Sequence, residues 1–101
     1  MGRPNAKITV PDDVAGLVRS LHPQLKKKIR AGFQIIMDGP FSGKALKDEL
    51  AGLRSLRIGR YRIVYRMRLE GQVEIVAVGS RERIYEETYR LIQKKTTGIH
   101  S

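Results

Sequence analysis

L-R-S-L-R-I-G-R-Y-R-I-V-Y-R-M-R-L, residues 53–69, alternates with period two from Arg60 onward. Tyr61, Ile63, Tyr65, Met67 and Leu69 share one parity, and Arg60, Arg62, Val64, Arg66 and Arg68 share the other. Successive strand side chains point to opposite faces, so the pattern predicts one strand with an apolar-aromatic face and an arginine face. The first face belongs on a core. The arginines of the second recur every two strand rises, about 6.6–7 Å, close to the phosphate spacing of a single nucleic-acid strand. Two meanings stay open at this point: a face that holds a polyanion, or a sheet face kept soluble by arginine.

Working outward, Gly59 permits a tight reversal between a strand ending near Ile58 and the strand that starts at Arg60. Leu69-Glu70-Gly71-Gln72 reads as a second hairpin turn. Val73 to Gly79, V-E-I-V-A-V-G, is mostly apolar on both faces, as a central strand should be. Upstream, Ala6 to Val10 is a short strand stopped by Pro11. Asp12 and Asp13 then favour a helix N-terminus, and Val14, Leu17, Val18 and Leu21 follow at helical spacing. His22-Pro23 breaks this helix and starts another, whose stripe is Leu25, Ile29, Phe33 and Ile36. Gly39-Pro40 ends it. Phe41 to Gly52 is a connector with a possible turn of helix, and Arg81 to Gln93 is again helical. The predicted order is β-α-α-β-β-β-α. The predicted class is α+β: a twisted, mostly antiparallel sheet with the helical hairpin on one face, the arginines on the other, and a C-terminal helix. Residues 1–95 form one domain and residues 96–101 a flexible tail.

The totals narrow the function. Among 101 residues, 20 Lys+Arg stand against 10 Asp+Glu, a net charge of +10. A small domain this basic attracts nucleic acid, an anionic membrane or an acidic protein. No apolar run approaches the ~18–20 residues of a membrane span. Cysteine is absent, which excludes disulfides and thiolate zinc sites and is compatible with a cytoplasmic protein. The two histidines, His22 and His100, have no acidic partner at metal-site spacing, so no metal or other cofactor is expected. Ser-His-Asp and Cys-His schemes lack their parts, and there is no phosphate-binding glycine loop.

What remains is arginine, lysine and tyrosine chemistry. Cleaving RNA through its own 2′-hydroxyl needs neither a protein nucleophile nor a metal. It needs in-line geometry, positive charge on the phosphorane oxygens and a route for two protons. Arginines supply the charge as bidentate clamps but are poor bases, with pKa above about 12. Tyrosine stacks on unpaired bases. The sequence therefore offers strong electrostatics and weak proton chemistry, a combination that gains if something else holds the RNA in line. A second cluster, G-S-R-E-R-I-Y-E-E-T-Y from Gly79 to Tyr89, follows the central strand directly. There Arg83 and Glu87 have the spacing of an ordinary helix ion pair, whereas Arg81 has no such local partner.

In K-A-L-K-D-E-L-A-G-L, L-R-I-G-R-Y-R-I-V-Y and V-G-S-R-E-R-I-Y the chain resembles the RelE/ParE superfamily of toxins from bacterial toxin–antitoxin systems, over about Pro11 to Gln93. The resemblance implies a microbial-ribonuclease-like α+β fold. It implies either of two activities: messenger-RNA cleavage at the ribosomal A site in the RelE branch, or poisoning of DNA gyrase in the ParE branch. V-G-S-R-E-R-I-Y favours the RelE branch. On this resemblance Arg62 and Arg81 bind the scissile phosphate and Tyr85 orients a base. Arg54 or Arg57 stabilises charge or helps a proton move, because Ser55 stands where the family usually has a basic residue. Lys44 and Lys47 contribute from the connector. Arg60, Arg66 and Arg83 are further candidate RNA contacts. The expected partners are the ribosome, mRNA and a cognate antitoxin with an acidic segment, forming a toxin–antitoxin hetero-oligomer.

Overall fold

Proline placement sets the helical hairpin. In a computed structural model, which describes residues 7–80 together with Ile84, Thr88 and Arg90, strand β1 (Lys7–Thr9) is cut short before Pro11. Helix α1 (Asp12–Ser20) then starts with two aspartates in its first turn, where the helix dipole favours negative charge. Pro23 opens α2 (Pro23–Asp38), and His22 caps it by accepting the Gln24 N–H at Nδ1, 3.3 Å. Val14 and Val18 of α1 and Ile29 and Ile36 of α2 are buried against the sheet.

The remaining elements are β2 (Lys44–Ala45), a 3-10 turn at Asp48–Leu50, β3 (Arg54–Ile58), β4 (Tyr61–Met67), a second 3-10 turn at Leu69–Gly71 and β5 (Gln72–Ser80). With β1, the strands form one five-stranded sheet in the order β1-β5-β4-β3-β2. β1 runs parallel to β5, and all other neighbours are antiparallel. The β3–β4 hairpin closes between Ile58 and Tyr61 through Gly59 and Arg60. Gly59 has φ +59°, a value that glycine reaches without steric cost at the first position of a two-residue loop. The predicted order therefore holds through β5, with β2 as a short addition inside the connector. The predicted terminal helix falls largely outside the described residues, as does the tail. Ile84, Thr88 and Arg90 are helical, and the Thr88 hydroxyl donates to the Ile84 carbonyl at 2.7 Å.

Two features depart from simple alternation. Tyr65 pairs with Ile75 but Val64 pairs with Ala77, so Val76 is an extra residue in β5. This bulge turns Val76 and Ala77 toward the same face as Val64. That face thus carries a second buried cluster of Leu53, Val64, Ala77 and Ile84, and arginine is not its sole cover. The main core lies on the helix side, around Ile63, Tyr65, Val73, Ile75 and Val78. Leu69, grouped by parity with the core face, is instead 86% exposed. β4 ends at Met67, and the turn that follows takes Leu69 off the sheet.

Candidate functional site

Strand register decides which cations share a face. Arg57 lies directly opposite Arg62, and Arg62 in turn opposite Gly79. Two residues along, and so on the same face, Lys44 faces Ser55, Ser55 faces Val64 and Val64 faces Ala77. Residues directly opposite have Cβ atoms about 4.5–5.5 Å apart on the same face. Lys44, Ser55, Arg57 and Arg62 therefore form one group on the face away from the helices. Two like charges placed opposite each other destabilise a sheet, so the Arg57–Arg62 pair suits an anion better than an empty surface. Gly79 adds no side chain beside Arg62.

Ser55 is 3% exposed, and its Oγ accepts from Arg62 Nη1 at 3.4 Å. A small hydroxyl at this buried place both fills the row and steers the guanidinium. Arg57 is exposed, and its Nε donates to the Gly59 carbonyl at 3.4 Å across the hairpin end. Arg60 is at the exposed hairpin tip, outside the paired rows.

Other predicted residues have different surroundings. Arg66 is opposite Glu74, and its Nε donates to Glu74 Oε1 at 2.6 Å; Arg68 Nη1 reaches the same oxygen at 3.1 Å. The Arg66 hydrogen bond, helped by the charges of both arginines and opposed by partial burial, holds the Glu74 carboxyl below its ordinary value. Arg54 is opposite Ala45 and Tyr65, on the helix side of the sheet and not beside Arg62. Its Nε donates to the Gly43 carbonyl at 3.0 Å and its Nη2 to the Phe41 carbonyl at 3.2 Å, with the guanidinium 5.1 Å from the Phe41 ring centre. Lys47 is exposed in the connector, just before the 3-10 turn. Arg81, Arg83 and Tyr85 lie outside the described residues. β5 ends at Ser80, opposite Tyr61 and one row from the Arg62–Gly79 pair. Among the described residues no three His, Cys, Asp or Glu side chains group as metal ligands, and no helix is long and apolar enough to cross a membrane.

Sequence reasoning passed over Tyr65 and Gly43. The Tyr65 side chain is fully buried, yet its hydroxyl donates to the Pro40 carbonyl at 2.6 Å and accepts the Gly43 N–H at 2.9 Å. Period-two alternation marked Tyr65 as core and nothing more. A hydroxyl in that apolar parity was the one hint that a buried polar partner must exist.

The profile of the family described as "ParE toxin of type II toxin-antitoxin system, parDE" matches residues 10–85. No curated protein sequence matches significantly. Among solved structures, the RelBE2 toxin–antitoxin complex of Mycobacterium tuberculosis is similar, with 29% identity, 76% of this chain and 99% of that chain covered, and a TM-score of 0.68. The E. coli toxin RelE, as a double arginine-to-alanine variant in the free state, superposes with a TM-score of 0.69 at 19% identity, over 90% of this chain and 97% of that one. The archaeal RelE–RelB complex of Pyrococcus horikoshii gives 0.64 at 20% identity, over 78% and 98%. The fold is that of RelE toxins, and by the family match this chain belongs to the ParE toxin family of type II toxin–antitoxin systems, within the RelE/ParE superfamily.

Proposed function

We propose that this toxin is a metal-free, ribosome-dependent mRNA endoribonuclease that inhibits translation in the cytoplasm. The observation that carries the reading is the Arg57–Arg62 cross-strand pair beside Ser55 and Lys44 on the face away from the helices. Two adjacent guanidiniums match the equatorial oxygens of a phosphorane. In the reaction the RNA 2′-oxygen bonds to phosphorus and the 5′-oxygen leaves, so the chain supplies no nucleophile. Arg62, steered by Ser55, and Arg57 hold the phosphoryl oxygens. Arg81 joins them from beyond β5, and Tyr85 stacks on a base, as the resemblance to RelE toxins implies. The ribosome supplies the in-line geometry that this set of groups does not.

The partner that keeps the toxin silent is an acidic antitoxin segment, in keeping with the net charge of +10 and with toxin–antitoxin complexes among the similar structures. A second reading, poisoning of DNA gyrase without catalysis, is favoured by the ParE family match. Mapping mRNA 5′ ends in a translation reaction, beside a gyrase supercoiling assay, separates the two. New 5′ ends with unchanged supercoiling support the nuclease; inhibited supercoiling with intact mRNA refutes it.

A further inference from the structure

Lys44 is carried on the arginine-bearing face by a segment that is not part of the β3–β4 hairpin. β2 is only two residues long, yet it is where it must be to place Lys44 opposite Ser55, two residues along the same face from Arg57 and Arg62. Two residues of edge strand fix little by themselves, so the segment before it has to be held. Residues 40–43 are held at four points. Tyr65 Oη donates to the Pro40 carbonyl and accepts the Gly43 N–H. Arg54 donates to the carbonyls of Gly43 and Phe41. A Cβ on Gly43 would meet Tyr65 Oη at 2.7 Å and the Ser55 carbonyl carbon at 3.0 Å, so the backbone packs directly on both. These contacts fall at Pro40, Phe41 and Gly43, the last of them one residue before Lys44.

We infer that Lys44 contacts the same phosphate as Arg57 and Arg62, and that Arg54, with Tyr65, is a positioning residue that acts through Lys44 without touching RNA. This rests on the nuclease reading for its substrate class, single-stranded RNA, but not for its test. The planar fork of Arg54 suits two backbone carbonyls as a clamp. The ammonium of Lys44 is exposed and free to follow a ligand.

The probe is a short single-stranded RNA with 2′-O-methyl groups, which binds but is not cleaved through its 2′-oxygen. Its affinity is measured by fluorescence anisotropy across a salt series. Lys44→Gln should weaken binding about tenfold, as for a lost charge-assisted contact, and reduce the slope of log K against log salt by about 0.7. Lys7→Gln, on edge strand β1 at the other end of the sheet, should change binding by no more than about twofold. In a double-mutant cycle, Lys44→Gln and Arg62→Ala should be non-additive, because they share one phosphate. Arg54→Met should weaken binding in the parent but add nothing in a Lys44→Gln background, which a generally loosened fold would not produce. Should Arg54→Met fail to melt cooperatively, Arg54→Lys carries the same comparison, since it keeps charge and stem but loses the fork. Additive Lys44 and Arg62 losses, a full further loss from Arg54→Met without Lys44, or no RNA binding by the parent overturns the inference. A parent that shows this pattern yet leaves unmodified mRNA intact on the ribosome supports the Lys44 site and refutes the nuclease.

Discussion

Gly43→Ala should destabilise this protein far more than Gly32→Ala, although both positions are crowded. At Gly32 the added Cβ meets the Ile63 and Ile58 Cδ1 atoms at 2.7 and 2.8 Å, flexible side-chain tips. Alanine also gains up to about 1 kcal/mol over glycine inside a helix, so the two effects offset each other to within about 1 kcal/mol. At Gly43 the Cβ meets the Tyr65 hydroxyl at 2.7 Å, its Cε1 at 2.9 Å and the Ser55 backbone at 3.0 Å. None of these yields readily: Tyr65 is fully buried and doubly hydrogen-bonded, and Ser55 is paired on both sides in the sheet. Overpacking of this kind costs about 1–3 kcal/mol, and a strained or lost hydrogen bond adds about 1 kcal/mol. A total of about 2–4 kcal/mol corresponds to a fall in Tm of roughly 8 °C or more, at about 4–8 °C per kcal/mol for a domain of this size. Thermal melting followed by circular dichroism measures both variants. A Gly43→Ala protein melting within about 2 °C of the parent would show that the 40–43 segment is not clamped, and the account of how Lys44 is placed would fall with it.

Arg62→Ala should lower single-turnover cleavage of ribosome-bound mRNA by about a hundredfold, as for loss of one transition-state charge donor. Arg62→Lys should recover little of it, because a point charge does not replace a bidentate fork. Arg68→Ala is the control: its side chain is 53% exposed and shares Glu74 with Arg66, so it should alter stability by no more than about 1 kcal/mol and leave cleavage nearly unchanged. Glu74 gives a pH test. Its folded pKa lies below the ordinary value of 4.5, so the ionised form stabilises the fold above that value, and the contribution is lost as pH falls through the folded pKa. The Tm difference between parent and Glu74→Gln should be constant above about pH 6 and shrink below 4.5; a constant difference down to pH 3 would remove the Arg66–Glu74 pair as its cause.

Much of the architecture was legible because its signals are local. The helical stripes, Pro11, Pro23 and Gly59 act within a few residues of themselves, and α1, α2 and the β3–β4 hairpin formed where they indicated. Arg57 and Arg62 could each be named as cations, but that they share a face follows from the β3–β4 register. What escaped were features fixed by partners far away in sequence. The bulge at Val76 arises from the register between β4 and β5, and no alternation within either strand announces it. Arg54 and Arg57 looked interchangeable as neighbours of Ser55, but they differ in parity, and pairing puts only Arg57 beside Arg62. Pairing of β2 with β3 joins residues about ten positions apart across a connector with no strand pattern, so Lys44 could be named as a cation but not given its row.

The position of β5 has a consequence for when the toxin becomes dangerous. It is an interior strand in space, between β1 and β4, but the last strand in sequence among the described residues. A nascent chain made only through β4 has a hairpin with one bare edge, and a β1 whose sole neighbour, starting at the Lys7–Gln72 pairing, does not yet exist. Pairings this distant in sequence form late and slowly. Arg57 and Arg62 can meet in the hairpin early, but Gly79 and the strand end leading to Arg81 arrive only with β5. The chain is thereby built without a working site on the very machine it is proposed to attack, and the interval before β5 docks is time in which an antitoxin can arrive first.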